Sequence, residues 1–299
     1  MSRRISHIQG FTLIELSIVL VIIGLLVGGV LTGQNLIKAA EARAQISQID
    51  RFNTAVNTFQ EKYGALPGDM TASTAAQFGF AARGIYAGEG DGNGLLQGVS
   101  QNGYSNPGGI NYGAGETVMF WSDLTYANGL NINLIEGNFN QASSTSVTGV
   151  NSSLLPQYFP SAKLGSGNYV YVYSGWYFTD TWVTDGINYF GLSAVSSINA
   201  PWYTLAGNAG LTVQQAYSID MKVDDGLPQS GNVLAAYPSG IAIVWAGTAN
   251  VNNMTYVTAT PGSSTSCFDN GNVGGATQQY SVKISNGANP NCALSFRFQ

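Results

Sequence analysis

The chain has 299 residues and a mass of 31.4 kDa, enough for one large domain or two modest ones with a substantial core. Only 9% of its residues are charged, 11 Lys+Arg against 16 Asp+Glu, while 38 are Gly and 11% are aromatic; a coiled-coil rod, a collagen-like chain or a charge-rich disordered protein would need more charge or a strict repeat. An acidic balance of -5 with no basic cluster leaves nothing to neutralise a phosphate backbone, so strong direct nucleic-acid binding is not expected.

The chain opens on a polar head, MSRRISHIQG, followed by FTLIELSIVLVIIGLLVGGVLTG. From Phe11 to Gly33 the polar side chains are Thr12, Glu15, Ser17 and Thr32, and about 20 such residues span the ~30 Å hydrocarbon core. Arg3 and Arg4 before this stretch predict a cytoplasmic N-terminus and an extracytoplasmic remainder. An ordinary secretory leader fits less well, because the apolar stretch is long, lacks a small-x-small exit site and runs on into an amphipathic helix. Glu15 is the odd residue. A carboxylate inside such a segment costs several kcal/mol if buried alone, so it lies at the headgroup level, protonates, or has a partner and a task.

IQGFTLIELSIVLVIIGLL resembles the leader of type IV pilins and type II secretion pseudopilins: a short basic segment, Gly10, Phe11, and a Glu five residues after the Gly in an otherwise apolar helix. The resemblance implies cleavage between Gly10 and Phe11 by a prepilin peptidase, methylation of the Phe11 amine, and a role for Glu15 in meeting the N-terminal amine of a neighbouring subunit. A desolvated amine and carboxylate in one apolar layer attract strongly, so such a pair would set subunit register. Loss of Arg3 and Arg4 takes Lys+Arg from 11 to 9 against 16 Asp+Glu, a side-chain balance of -7, and removes the positive anchor.

Beyond the membrane stretch, Ile49, Phe52, Val56, Phe59 and Tyr63 recur at helical spacing, with Gln48, Asp50, Arg51, Asn57 and Glu61 between them. Ala39, Ala40, Ala42 and Ala44 favour a helix, and Gly64 then Pro67 stop it. The prediction is one helical spine over 11–63, roughly 80 Å long, greasy on all sides in its first half and amphipathic in its second. Gly24, Gly28, Gly29 and Gly33 in that spine allow either tight helix packing or local stretching in a fibre. The expected organisation is a leader at 1–10, a spine at 11–63 with its membrane part at 11–33, and a globular head at 64–299.

The head is rich in Gly, Asn, Ser and Tyr, the texture of loops between strands. A brief helix is expected over 72–82 and another over 115–128 with Phe120, Leu124 and Ala127 on one side. Between them GEGDGNG aligns oxygens at Glu89, Asp91 and Asn93, suited to calcium or to an Asx-rich turn. NYVYVYSGWYF (168–178) alternates Val170 and Val172 with Tyr169, Tyr171 and Tyr173, a strand whose Tyr face, with Trp176, packs inward or meets a neighbour. In LTVQQAYSIDMKVDDGLPQSGNV (211–233), Thr212 and Gln215 form a capping box and Ala216, Tyr217 and Met221 point inward. Asp220, Asp224 and Asp225 crowd the end of that helix, against its dipole, and invite a calcium ion, a Lys222 contact or a hydrogen-bonded acidic turn. Strands are expected over 241–247, 280–285 and 292–298, giving an α+β fold in which the spine packs against an antiparallel sheet.

Cys267 and Cys292 would lie in an oxidising compartment, and a disulfide between them is expected. His7 lies in the leader, which removes a metal pair and a His-dependent triad. No Walker A sequence, HExxH or nucleophile elbow occurs, so the expectation is a non-enzyme without a cofactor beyond structural calcium. The later patches ETVMFW and SIDMKVDDGLPQSGNV, with the Cys pair, resemble a group of large pilin-like proteins. The resemblance implies a structural subunit of a type IV pilus or type II secretion pseudopilus. Its partners would be the peptidase, an inner-membrane assembly platform, other pilin-like subunits and lipid. It would be a single-pass inner-membrane protein before assembly, in a periplasmic or surface fibre afterwards. The alternatives are an adhesin or binding module displayed at a fibre tip, and a membrane anchor that never polymerises.

Overall fold

An apolar stretch followed by the Ala-rich AAEARAQ, uninterrupted by proline up to Pro67, gives a single helix α1 over Leu13–Tyr63. Gly64 ends it in the left-handed conformation at φ 71°, where a side chain would be strained. The computed structural model describes residues 11–84, 88–99, 113–127, 130–140, 150–174, 186–199, 203–240, 242–247, 259, 262–270 and 277–298. These form two compact units, one up to Glu41 and one from Ala42 onward.

In the first unit the apolar side chains of α1 are exposed on every face, and the helix is long and apolar enough to cross a membrane. In the second unit the predicted stripe of Ile49, Phe52, Val56, Phe59 and Tyr63 is buried. Phe52 meets Trp121 with ring centroids 4.9 Å apart and Phe190 at 6.0 Å, while Tyr63 packs edge-on to Phe80 at 4.9 Å. Each such side chain contributes about 1.5–3 kcal/mol of burial. Gln48 departs from the expected polar face, and Gln45 joins it. Both are buried, and Gln48 donates to the Ser161 carbonyl at 3.0 Å and accepts from the Lys163 N–H at 3.1 Å. These two side chains replace backbone pairing where a turn of the head meets the helix.

The head supplies α2 (Ala72–Phe78), α3 (Glu116–Thr125), a short pair β1 (Tyr126–Ala127) and β2 (Leu130–Asn131), then β3 (Tyr169–Ser174), β4 (Asn188–Asn199) and β5 (Thr204–Asn208). After α4 (Val213–Val223) come β6 (Val233–Leu234), β7 (Ala236–Ser239), β8 (Ala242–Trp245), β9 (Phe268–Asp269), β10 (Gln279–Tyr280) and β11 (Leu294–Arg297). The main sheet is antiparallel, in the order β3-β4-β11-β6, and β5 pairs with the far end of β4. In register, Phe190 faces Val172 on one side and Phe296 on the other. This is the expected α+β architecture, a long N-terminal helix whose second half packs against an antiparallel sheet.

Several elements differ from expectation. The helix begun at Ala72 stops at Phe78 because Gly79 caps it in the left-handed conformation. Ala127, expected on α3, lies in β1. The segment 280–285 is no strand beyond Tyr280, because it turns into a 3-10 segment at Ile284–Gly287. The 12-residue β4, the strand at the centre of the sheet, carried no strand expectation. β3 is buried on both faces from Val170 onward. The Tyr171 ring lies over Gly191 of β4, where a Cβ would collide with it. The expected extension of that strand to Phe178, with Trp176, falls outside the described residues.

Candidate functional site

Thr12 and Glu15 form a reciprocal pair at the start of α1. The Thr12 N–H and hydroxyl both donate to Glu15 Oε2 at 2.8 Å, and the Glu15 N–H donates to Thr12 Oγ1 at 3.3 Å. Two of the orphan backbone donors at the helix start are thereby satisfied, as in a capping box. Phe11, Leu13 and Ile14 around the pair are exposed. Gly10 lies outside the described residues.

In the head, two acidic clusters stand out, each with three carboxylates offering oxygens within 4.8 Å of one another. The first contains Asp91 of the predicted GEGDGNG loop, but its companions are Asp69 and Glu116. Glu89 is buried and apart from them, against Gly84. Asn93 spends its side chain locally, accepting from the Leu95 N–H at 2.8 Å and donating to Asp91 at 3.0 Å. Asp69, just past the end of α1, accepts from the N–H groups of Gly92 and Gly94, both at 2.7 Å. Glu116, at the start of α3, accepts from Gly90 at 2.9 Å and Gln97 at 2.8 Å. Two buried carboxylates thus hold the loop by its backbone. Burial pushes the Asp69 carboxyl up to about 6 and Glu116 well above the usual carboxylate range, with repulsion from Asp91 on both and from Asp69 on Glu116 adding, and the amide donors opposing.

The sequence reading missed Asp69 and Glu116. Their signal was an acidic residue in each of two apolar patches, LPGDM and GETVMFW, in a chain with few charges. Hard cations take several oxygen ligands, so Asp69, Asp91 and Glu116 are the residues of this region that could hold one.

The second cluster joins Asp220, Asp224 and Asp225, as the sequence grouped them. The Thr212–Gln215 capping box starts α4 as expected. Met221, expected inward, is 52% exposed, and Ile219 and Asp220 are buried instead. Asp220 accepts from the Tyr280 hydroxyl at 2.7 Å and the Gly226 N–H at 3.0 Å. Asp224 accepts from the N–H groups of Asn232 and Val233, and Asp225 from the Leu227 N–H at 2.8 Å and the Ser230 hydroxyl at 2.6 Å. Asp224 and Asp225 therefore close the turn after α4 on itself, and Asp220 ties the end of α4 to Tyr280 of β10. Burial pushes Asp220 up to about 7, and the charges of Asp225 and Asp224 add to it. Nearby, Cys267 and Cys292 form a disulfide with Cα atoms 4.9 Å apart.

A buried ion pair supports the first cluster's loop. Arg83 Nη2 lies 2.7 Å from Asp123 Oδ2, which also accepts from the Gly68 N–H. Among the described residues neither cluster contains a nucleophile–base pair, and the architecture is pilin-like rather than a recognisable catalytic one.

Compared with known families, residues 5–31 match the prokaryotic N-terminal methylation motif. No curated protein matches the chain, and no solved structure does. A prepilin methylation motif, leading into a long apolar helix that packs against a β-sheet head, is consistent with the type IV pilin and pseudopilin superfamily. The apolar helix is consistent with a single membrane-spanning segment, and the head with an extracytoplasmic domain.

Proposed function

We propose that the chain is a structural subunit of a membrane-anchored helical fibre, either a type IV pilus or a type II secretion pseudopilus. The observation that carries this reading is the methylation motif at residues 5–31 continuing into α1, whose second half is built into the head. On this reading a prepilin peptidase cuts between Gly10 and Phe11 and methylates the new amine. The leader is then 1–10, the spine 11–63 and the head 64–299. The subunit waits in the inner membrane with its head outside the cytoplasm, and an assembly platform moves its spine from lipid into the fibre.

Glu15 then has two successive partners. In the lone subunit Thr12 satisfies it within its own first turn. In the fibre the amine of a neighbour's Phe11 takes that place, an exchange of a neutral donor for a charged one. The cost of carrying a carboxylate into an apolar layer is lowered in both states.

Exposed Tyr and Trp side chains on the head would favour a displayed adhesin, and their burial a scaffold. Tyr171 and Tyr173 are buried and Tyr169 is half-buried, which supports a scaffold role instead. Calcium remains a structural proposal for the clusters around Asp91 and Asp220, where it would neutralise crowded carboxylates without a catalytic role.

The test is expression of the full gene in a host with its own prepilin peptidase, shearing, and intact mass measurement of both fractions. A methylated chain starting at Phe11 in the sheared fibres is the expected result. A processed chain confined to membranes points to a minor or pseudopilus subunit, and a chain still starting at Met1 overturns the proposal.

A further inference from the structure

We infer that the groove flanked by Arg51 and Lys163 is a docking surface for a carboxylate-bearing face of a second copy of this chain. Its setting rests on the fibre reading above, and its chemistry rests on the groove itself. The groove encloses about 580 Å³ beside the head half of α1, between the helix, the 133–139 loop and the 156–163 turn. Phe52, Phe139 and Phe159 are buried beneath it, while Arg51, Glu136 and Lys163 are exposed at its rim.

The backbone segments that carry the two cations are held together by buried geometry. Gln48 lies three residues before Arg51, so the two are neighbours on the helix surface. Its Oε1 accepts the Lys163 N–H at 3.1 Å and its Nε2 donates to Ser161 at 3.0 Å. The backbone of Lys163 is thereby fixed against the turn of α1 that bears Arg51. Among the described residues neither cation has a carboxylate within ion-pair distance. Among the described residues the ion pair is Arg83–Asp123, fully enclosed elsewhere in the head.

Charge indicates the occupant. A processed chain carries 9 Lys+Arg against 16 Asp+Glu, so identical copies brought side by side repel one another. With Glu136 on the same rim, Arg51 and Lys163 leave the recess one net positive charge, and a neighbour's carboxylates are attracted there. The arrangement joins one patch to a different patch of the next copy, the heterologous contact that an open helical assembly uses. An apolar floor under a charged rim has the layout of a specific protein contact.

The test is zero-length carbodiimide coupling of the full-length chain, in sheared fibres and in membranes. Covalent dimers are isolated by size and their linked peptides sequenced. Dimers joining Lys163 to an Asp or Glu peptide are expected. Lys163→Arg should keep the fibres but lose that link, since a guanidinium does not couple. Arg51→Glu with Lys163→Glu should cut the sheared-fibre yield at least tenfold, with the Phe11 start and the melting temperature unchanged. Wild-type fibre yield from the charge-reversed chain overturns the inference. So do dimers that never include Lys163, or Lys163 linked only to other proteins. If the wild-type chain still starts at Met1 and makes no fibres, the fibre reading fails by itself. Coupling in membranes still decides the groove: Lys163-linked dimers keep it, and their absence removes it.

Discussion

Arg83 and Asp123 offer the sharpest test of how the head is held together. Their side chains are 0% and 1% exposed, and they meet through one nitrogen and one oxygen at 2.7 Å. Arg83 also donates from Nε to the Met70 carbonyl at 3.2 Å, while its Nη1 and Asp123 Oδ1 have no hydrogen-bond partner among the described residues. Burial pushes the Asp123 carboxyl up even with the guanidinium beside it, so desolvation outweighs attraction at this site. Removing one member of such a pair costs about 3–5 kcal/mol, whereas replacing both by apolar groups is often neutral or stabilising. At about 2–4 °C per kcal/mol for a domain of this size, each single change lowers the melting temperature by roughly 6–20 °C. The two single changes then differ in pH dependence. In Arg83→Met the stranded carboxyl can protonate, so acidification from pH 7.5 to 5 recovers part of the loss. In Asp123→Leu the stranded guanidinium cannot lose its proton, and acid recovers none of it. The assay is thermal unfolding of the full-length chain in detergent at both pH values, for both single variants and for Arg83→Met with Asp123→Leu. Single-variant losses that simply add in the double variant would refute the reasoning, as would equal acid rescue of both single variants.

Other outcomes follow from the same structure. Gly10→Val should leave the chain starting at Met1, while Glu15→Val should be cut to Phe11 yet stay in membranes, both read by intact mass. Reduction, or Cys267→Ser with Cys292→Ser, opens a loop of 25 residues and should destabilise the head by about 2–4 kcal/mol; an unchanged melting temperature would remove the bond's structural role. Asp69 and Asp220 ionise less readily in the folded chain, near 6 and 7, than at the ordinary 3.8. Their contribution is therefore full below about pH 4 and is lost as pH rises through 6–7. The melting temperature should be higher at pH 5 than at pH 7.5, by a stability difference on the order of 1–3 kcal/mol. Asp69→Asn and Asp220→Asn should each flatten the slope. Millimolar calcium should raise the melting temperature at pH 7.5 and flatten the same slope; no shift would remove the cation proposal.

Legibility from sequence followed how local the governing interactions are. The stripe from Ile49 to Tyr63 was readable because helical periodicity is written within one segment, and its burial follows. The Thr212–Gln215 capping box was readable for the same reason, since both partners lie within four residues. β4 was missed because NYFGLSAVSSIN lacks a clean two-residue alternation. Its first half is buried on both faces between β3 and β11, and its second half is bulged where β5 pairs. An interior strand of this kind takes its pattern from its neighbours.

The first acidic cluster shows the same limit at the candidate site. Glu89, Asp91 and Asn93 looked like alternating ligands because they are close in sequence, but the loop's glycines turn its backbone N–H groups toward carboxylates that lie far away along the chain. Asp69 is 25 residues before Gly94, and Glu116 is 19 residues after Gln97. The requirement that sets their positions is that the loop's backbone donors, enclosed where they meet Asp69 and Glu116, must be satisfied. The backbone demand creates the crowding of negative charge, because two carboxylates placed to serve amide donors are left facing Asp91. The same logic orders the second cluster, where Asp220, Asp224 and Asp225 serve the turn after α4 and crowd one another as a result. In both clusters the N–H donors offset part of the desolvation cost, and a proton or a cation at the shared face would offset more of it.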